Sequence, residues 1–278
     1  MAKKRATLTD LFNDLTFKTL FEKYKLIAIN AFQWDGLPDG IEERHIETRL
    51  FDHGKALFFR DPGMSYMALQ GDPGKGQNVY GDPLEFIATG HNYRRVLPST
   101  ECVLIENNKL QLCTRDFVMF YVAKMAEAER TLDVNIKSCK TPVIFACDDK
   151  DLLSFKRIFH EVDGNTPALF VDRGLNLDGI TAFQTGVKFL GNDLSDYLQT
   201  VENKLLTFLG CNNNPVDKKE RVNTLETRSN DQLIDSFSQL QLEARERACE
   251  RINDMYGLSL SVKRREKKEE VVPNEPLL

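Results

Sequence analysis

No two of the six cysteines stand as a CxxC pair. Cys102, Cys113, Cys139, Cys147, Cys211 and Cys249 are widely spaced, which argues against a zinc site and fits thiols in a reducing compartment. The four histidines, His45, His53, His91 and His160, form no HxxxH pair. No apolar run approaches the ~20 residues needed to cross a bilayer. No apolar h-region follows the basic start of the chain, so neither a secretory signal nor a membrane partner is expected. An excess of positive charge is missing too. Lys and Arg number 37 against 42 Asp and Glu, a net charge of −5, which excludes a simple DNA-coating protein. No GxSxG, HExxH or Cys/His arrangement is present. Gly71-Asp72-Pro73-Gly74-Lys75-Gly76 lacks the glycine spacing and Lys-Ser/Thr ending of a phosphate loop, and Pro73 removes a donor. It reads as a surface turn. No catalytic residue, metal or cofactor is expected.

What is present is an ordinary globular composition, 41% hydrophobic and 28% charged over 278 residues. That is enough to bury a core without disulfides, as one large domain or two small ones. Apolar spacing over 8–32 predicts an amphipathic helix, interrupted near Thr16 and stopped by Gly36-Leu37-Pro38-Asp39-Gly40. Short apolar runs between Gly, Pro and Asp clusters predict a β-rich region over 54–115. In it Asn107-Asn108 forms a two-residue hairpin turn between strands 102–106 and 109–113. Helical steps return at 116–137. Strands at 143–146 and 168–171 around a helix at 151–160 suggest a small α/β unit. The strongest periodicity runs through Leu190, Leu194, Tyr197, Leu198, Val201, Leu205, Phe208 and Leu209. It predicts a helix over 186–209, roughly 36 Å long, with Asp193, Asp196, Glu202 and Lys204 on its other face. A last helix is expected over 231–256, stopped by Gly257. An edge strand at 258–263 and a charged, disordered tail follow.

Basic residues are concentrated in three places. Lys3, Lys4 and Arg5 open the chain, and Lys263, Arg264, Arg265, Lys267 and Lys268 come near its end. Lys218, Lys219, Arg221 and Arg228 lie in a polar internal stretch of a length uncommon inside a compact protein unless it is functional or disordered. Two readings stand for each cluster: solubilising charge, or contact with nucleic acid phosphates. The aspartates Asp148, Asp149 and Asp151 invite a metal-nuclease reading, against the plainer one of a charged helix start.

Several segments, in order, resemble the upper collar, or head-to-tail connector, of small podovirus-type phages with protein-primed genomes. The back half carries KTPVIFACDD (140–149), DGNTPALF (163–170), TFLG (207–210), DKKERV (217–222), SND (229–231) and ARERACERINDMYGLSLSVKRR (244–265). The front half carries MAKKR (1–5), FQWDGLP (32–38) and ALFFRDPGMSY (56–66). The match spans almost everything except the last dozen residues.

The resemblance implies a mainly helical α+β portal fold, with long tilted central helices around a ring channel, a small β-rich wing and an α/β narrow-end unit. It divides the chain into a basic segment and helix (1–42), the wing at the wide end (43–115), a central helix (116–139), the narrow-end clip (140–185), the channel helix (186–212), a channel loop (213–230), a wide-end helix and strand (231–264) and a disordered tail (265–278). It implies a homo-dodecamer in the virion, at the capsid vertex where head meets tail, made in the host cytoplasm. The implied partners are double-stranded DNA held without sequence preference, a packaging ATPase, a packaging RNA, the capsid or scaffold protein and the lower collar or tail protein. Lys218, Lys219, Arg221 and Arg228 would touch DNA. In the family's best-known member two lysine rings line the channel. The aligned positions here are Gln184 and Asp193, which leaves nearby Lys188 as the substitute. Lys3, Lys4 and Arg5 match the segment that docks the packaging RNA or motor. Beside this non-enzymatic reading stands a small oligomeric nucleic-acid-binding regulator.

Overall fold

Four consecutive buried residues, 56–59, set the centre of the larger of two units. The computed structural model describes residues 8–140, 143–146, 181–184, 186–211 and 224–265. The larger unit takes Met1–Lys124 with Val201–Leu278, and the smaller takes Met125–Thr200. The four residues belong to β2 (Lys55–Asp61), which has lost in–out alternation because both its faces are covered. Antiparallel neighbours β3 (Ser65–Pro73) and β6 (Cys102–Glu106) flank it. With β4 (Glu85–Gly90) and β5 (Tyr93–Pro98) they give the order β5-β4-β3-β2-β6.

β3 changes partner along its length. Residues 65–69 pair with β2, and residues 70–73 pair with β4. At the change stands Gly71, where a Cβ would lie 2.7 Å from the Cβ of Leu57. Only glycine lets the strand pass that close. Beyond it β4 and β5 supply Phe86, Ala88 and Leu97, which cover Leu57 and Phe59 in one core. The opposite face of β2, Ala56 and Phe58, packs in a second core against α2 (Glu43–His53), α5 (Thr224–Tyr256) and a two-stranded ribbon. The ribbon pairs β1 (Phe32–Asp35) with β9 (Ser261–Arg264) and buries Phe32, Trp34 and Val262. The side chain of Asn253 sets its approach, donating to the Leu260 carbonyl (2.9 Å) and accepting from the Leu260 amide (2.7 Å).

A buried ion pair joins these elements. Arg245 on α5 and Glu47 on α2 are each 2% exposed. Two parallel bonds of 2.8 and 2.7 Å connect them. Trp34 Nε1 donates to the same carboxylate at 2.9 Å, Arg245 also reaches Asn107 Oδ1 at 3.1 Å, and the guanidinium lies 4.1 Å over the Phe32 ring. Every polar atom of the pair has more than charge to satisfy it, which an ion pair out of water requires.

Three further helices complete the described residues: α1 (Leu8–Ile29), α3 (Thr114–Lys140) and α4 (Gly191–Phe208). Phe117 of α3 stacks on Phe208 of α4 with centroids 4.4 Å apart, and Phe208 meets Phe237 of α5 at a tilt, 5.6 Å away. In the smaller unit β7 (Val143–Ala146) and β8 (Thr181–Gln184) form an antiparallel pair. The rest of the expected 140–185 unit, including the strand at 168–171 and the helix at 151–160, lies outside the described residues. The five described cysteines form no disulfide with one another. Burial pushes the Cys102 thiol up to about 11 and Cys249 up to about 12. No described helix is long and apolar enough to cross a membrane.

Several sequence expectations need correction. Residues 43–53, read as part of a β-rich region, are helix α2. Its apolar residues Ile46, Leu50 and Phe51 all face the core. α1 runs unbroken through Thr16 and ends at Ile29, three residues short of the expected end at 32, and residues 32–35 form β1. Asn107-Asn108 is not a hairpin turn. Asn107 Nδ2 donates to the Leu112 carbonyl (2.9 Å) and Thr114 Oγ1 (3.0 Å), while Asn108 Oδ1 takes the amides of Leu110 and Leu112. These bonds satisfy the backbone of 109–113 locally, so it enters α3 rather than a strand. Residues 224–230, assigned to a polar loop, are helical. Residues 224–231 hold no glycine or proline to stop a helix that propagates backward at one hydrogen bond per residue.

Candidate nucleic-acid interface

α4 starts five residues later than its apolar stripe suggests. The reason is Asn135 on α3. Its Nδ2 donates to the Lys188 carbonyl at 2.8 Å and its Oδ1 accepts from the Leu190 amide at 2.9 Å. Held this way, residues 186–190 are exposed and non-helical. Lys188 therefore has a fixed backbone and an exposed side chain. Asp193 and Asp196 follow on exposed positions of α4. The stripe itself is divided: Val201, Leu205 and Leu209 are buried, whereas Leu190 and Tyr197 are more than 40% exposed.

The other end of α4 is fixed tightly. Gly210 has φ +67°, its amide donates to Thr207 O at 3.0 Å, and the Cys211 amide reaches back to Leu206 O at 2.8 Å. This is the paired closing pattern of a helix that ends on glycine. Arg264 of β9 adds bonds to the Leu209 (3.1 Å) and Gly210 carbonyls and to Ser238 Oγ (2.5 Å). A Cβ on Gly210 would meet the Arg264 guanidinium at 2.6 Å. On the α1 side, Tyr24 OH donates to Glu202 Oε1 at 2.6 Å and Lys23 bonds the same oxygen at 3.0 Å. Burial raises the Glu202 carboxyl, but these two bonds outweigh it and hold it below its ordinary range. The chain thus leaves α4 from a clamped point, and the next described element, α5, begins at Thr224.

Of the residues expected to touch DNA, Lys218, Lys219 and Arg221 lie outside the described residues between those two points. Arg228 is on the first turns of α5, and its side chain is not described. Lys3, Lys4 and Arg5 are outside the described residues, as are Asp148, Asp149 and Asp151. Gln184 lies on β8.

Three residues of the basic cluster near the end of the chain have partners in the fold, and Lys267 and Lys268 lie outside the described residues. Lys263 pairs with Asp35 (3.3 Å) and Arg265 with Glu43 (2.8 Å), while Arg264 closes α4. Burial lowers the pKa of Arg264, the mark of a cation inside the fold. Lys263 thus bridges the two strands of the ribbon and Arg265 ties its end to α2, both through exposed ion pairs. Sequence reasoning also missed Glu47 and Arg245, since a buried charge on an amphipathic helix carries no mark that separates it from a surface one.

A sequence model of the Phage Connector (GP10) family matches residues 4–269. Among solved structures the chain is similar to one in the portal and tail of native bacteriophage P68, at 16% identity over 97% of this chain and 94% of that one, with a TM-score of 0.52. It is also similar to an HK97 family phage portal protein from Corynebacterium diphtheriae (11% identity, 95% and 96% covered, TM-score 0.45). A chain in the virion of a native gene transfer agent particle gives 10% identity, 94% and 81% covered, and a TM-score of 0.48.

Proposed function

This chain belongs to the Phage Connector (GP10) family and is a portal, or head-to-tail connector, subunit of the virion's head–tail junction, and we propose that twelve copies form a ring whose channel passes double-stranded DNA during packaging and ejection. The observation that carries the proposal is the family match across almost the whole chain. The ring joins capsid to tail, and the family is structural.

In this reading α3 and α4 are the central helices. The 140–185 region forms the narrow end, and the wing of 43–115 with α5 forms the wide end. The segment between Gly210 and Thr224 reaches the lumen from its clamped base. One exposed lysine per subunit becomes a circle of twelve, so Lys218, Lys219, Arg221, Arg228 and Lys188 contact phosphates without reading bases. Such contacts must stay weak, because each firmly held phosphate adds salt-sensitive affinity that stalls sliding. Lys3, Lys4 and Arg5 dock the packaging ATPase or a packaging RNA, and ATP hydrolysis belongs to that partner. The chain itself performs no chemistry. Family membership sets the regulator reading aside.

The channel part is tested by replacing Lys218, Lys219 and Arg221 with alanine. Rings of unchanged mass are expected. Their DNA affinity should depend less steeply on salt, and heads should retain packaged DNA several-fold less well. Wild-type retention together with an unaltered salt slope would remove these residues from the channel.

A further inference from the structure

At one end of β3 an apolar tip stands out from the sheet, and at the other end an open groove waits beside α2. The tip is the β3–β4 loop. Val79 is 93% exposed and Tyr80 is 87% exposed. A lone exposed apolar residue means little, but this pair is held rigidly in place. Asn78 Oδ1 accepts the amides of Tyr80 and Asp82, both at 2.9 Å, and Asn78 Nδ2 donates to Asp82 Oδ2 at 2.9 Å. Backbone bonds from Asn78 N to Asp82 O (2.9 Å), Gly81 N to Asn78 O (3.0 Å) and Leu84 N to Gly76 O (3.1 Å) close the loop below it. An aromatic held in place before it binds loses little entropy on docking, which is how interface anchors are built.

The groove has a volume of about 600 Å³ and runs between α2 and the first half of β3. Ile41, Tyr66 and Ala68 give it an apolar floor, and Thr48, Arg49 and Met64 line its sides. Arg49 is half-buried and has no ion-pair or hydrogen-bond partner among the described residues. The tip carries the complementary sign, with exposed Asp82 beside Tyr80.

The tip cannot reach its own groove. β3 has nine residues, and at ~3.3 Å per residue they separate its two ends by up to about 30 Å. A surface and its complement on opposite ends of one rigid unit make a head-to-tail contact, the type that closes into rings rather than twofold dimers. We infer that the Val79–Tyr80 tip of one subunit inserts into the Ile41–Tyr66 groove of the next, with Asp82 facing the neighbour's Arg49, so that the β-rich units form their own belt around the ring. This rests on the ring proposed above but does not follow from it, since helix contacts alone could close a ring.

The test uses the full chain carrying Tyr80→Cys and Thr48→Cys together, with each single variant and the wild type as controls. Light scattering first establishes that rings form. Under mild oxidation the double variant should give a ladder of dimer, trimer and higher species on a non-reducing denaturing gel. The ladder should collapse on reduction and be absent from all controls. In parallel, Tyr80→Ser should raise the subunit concentration at which rings half-dissociate at least tenfold, as expected for an interface anchor. Asp82→Arg should act in the same direction, and adding Arg49→Asp should reverse most of its effect. Intact rings without a ladder would overturn the inference and leave the tip to another virion protein. Absence of rings in the wild type would overturn both this inference and the assembly it rests on.

Discussion

Arg245→Met lowers the stability of the folded subunit by about 3–5 kcal/mol, the usual cost of leaving one member of a buried ion pair behind. Glu47 would remain 2% exposed, with Trp34 Nε1 as its one remaining side-chain donor among the described residues. Asn107 Oδ1 would lose its guanidinium partner, and the packing over Phe32 would change. At ~2–4 °C per kcal/mol for a unit of this size the melting temperature should fall by roughly 10 °C. The companion variant separates charge from packing. Glu47→Leu with Arg245→Met removes both charges, and the pair of apolar side chains should recover most of the loss. Thermal melting followed by circular dichroism, at one protein concentration for all variants, decides the matter. A loss below about 1 kcal/mol for the single variant, as for a surface pair, would mean that water reaches the site and that the pair does not hold α2 to α5.

Gly54→Ala is the second large effect, about 2–4 kcal/mol. Gly54 closes α2 with φ +75°, and its amide donates to Leu50 O at 3.0 Å. The left-handed conformation alone costs a residue with a Cβ roughly 1–2 kcal/mol. Here the Cβ would also lie 2.1 Å from the Gln111 carbonyl oxygen and 2.8 Å from two more backbone carbons. Because those atoms are backbone, the 109–113 connection itself must shift, at an overpacking cost of ~1–3 kcal/mol. Gly81 supplies the internal control. Its φ is +86°, and nothing lies within 4 Å of the added Cβ. Gly81→Ala should therefore show the conformational cost alone, about 1 kcal/mol after the entropy lost from the unfolded chain is counted. Equal losses at the two sites, measured by urea unfolding, would show that the contact between α2 and the start of α3 yields freely.

The elements legible in the sequence were those whose signal is local. The stripe through Val201, Leu205 and Leu209 gave α4 its buried face, and Gly210 and Gly257 ended helices as glycines do. Alternation near residue 262 pointed to β9, but not to its partner. β1 alternates just as clearly, with Phe32 and Trp34 buried and Asp35 exposed, yet four residues are too few to outweigh the helix running into them. Asn135 is the instructive case. Nothing local marks it, and its two bonds to a segment more than fifty residues away stop α4 from starting early. Arg264 misleads for the same reason. Beside Lys263 and Arg265 it looks like part of a basic patch, and only tertiary structure shows it closing a helix. Lys218, Lys219 and Arg221, proposed above to touch DNA, were singled out in the sequence by composition and by resemblance alone, and they lie outside the described residues.

The assembly is tested most directly by the molar mass of the purified protein in solution, from light scattering, with negative-stain images of the same sample. Twelve chains of 31.8 kDa give about 380 kDa in a closed cyclic ring, and the images should show a ring with a central hole. A monomer or dimer at micromolar concentration, with no rings at any salt concentration, would contradict the account.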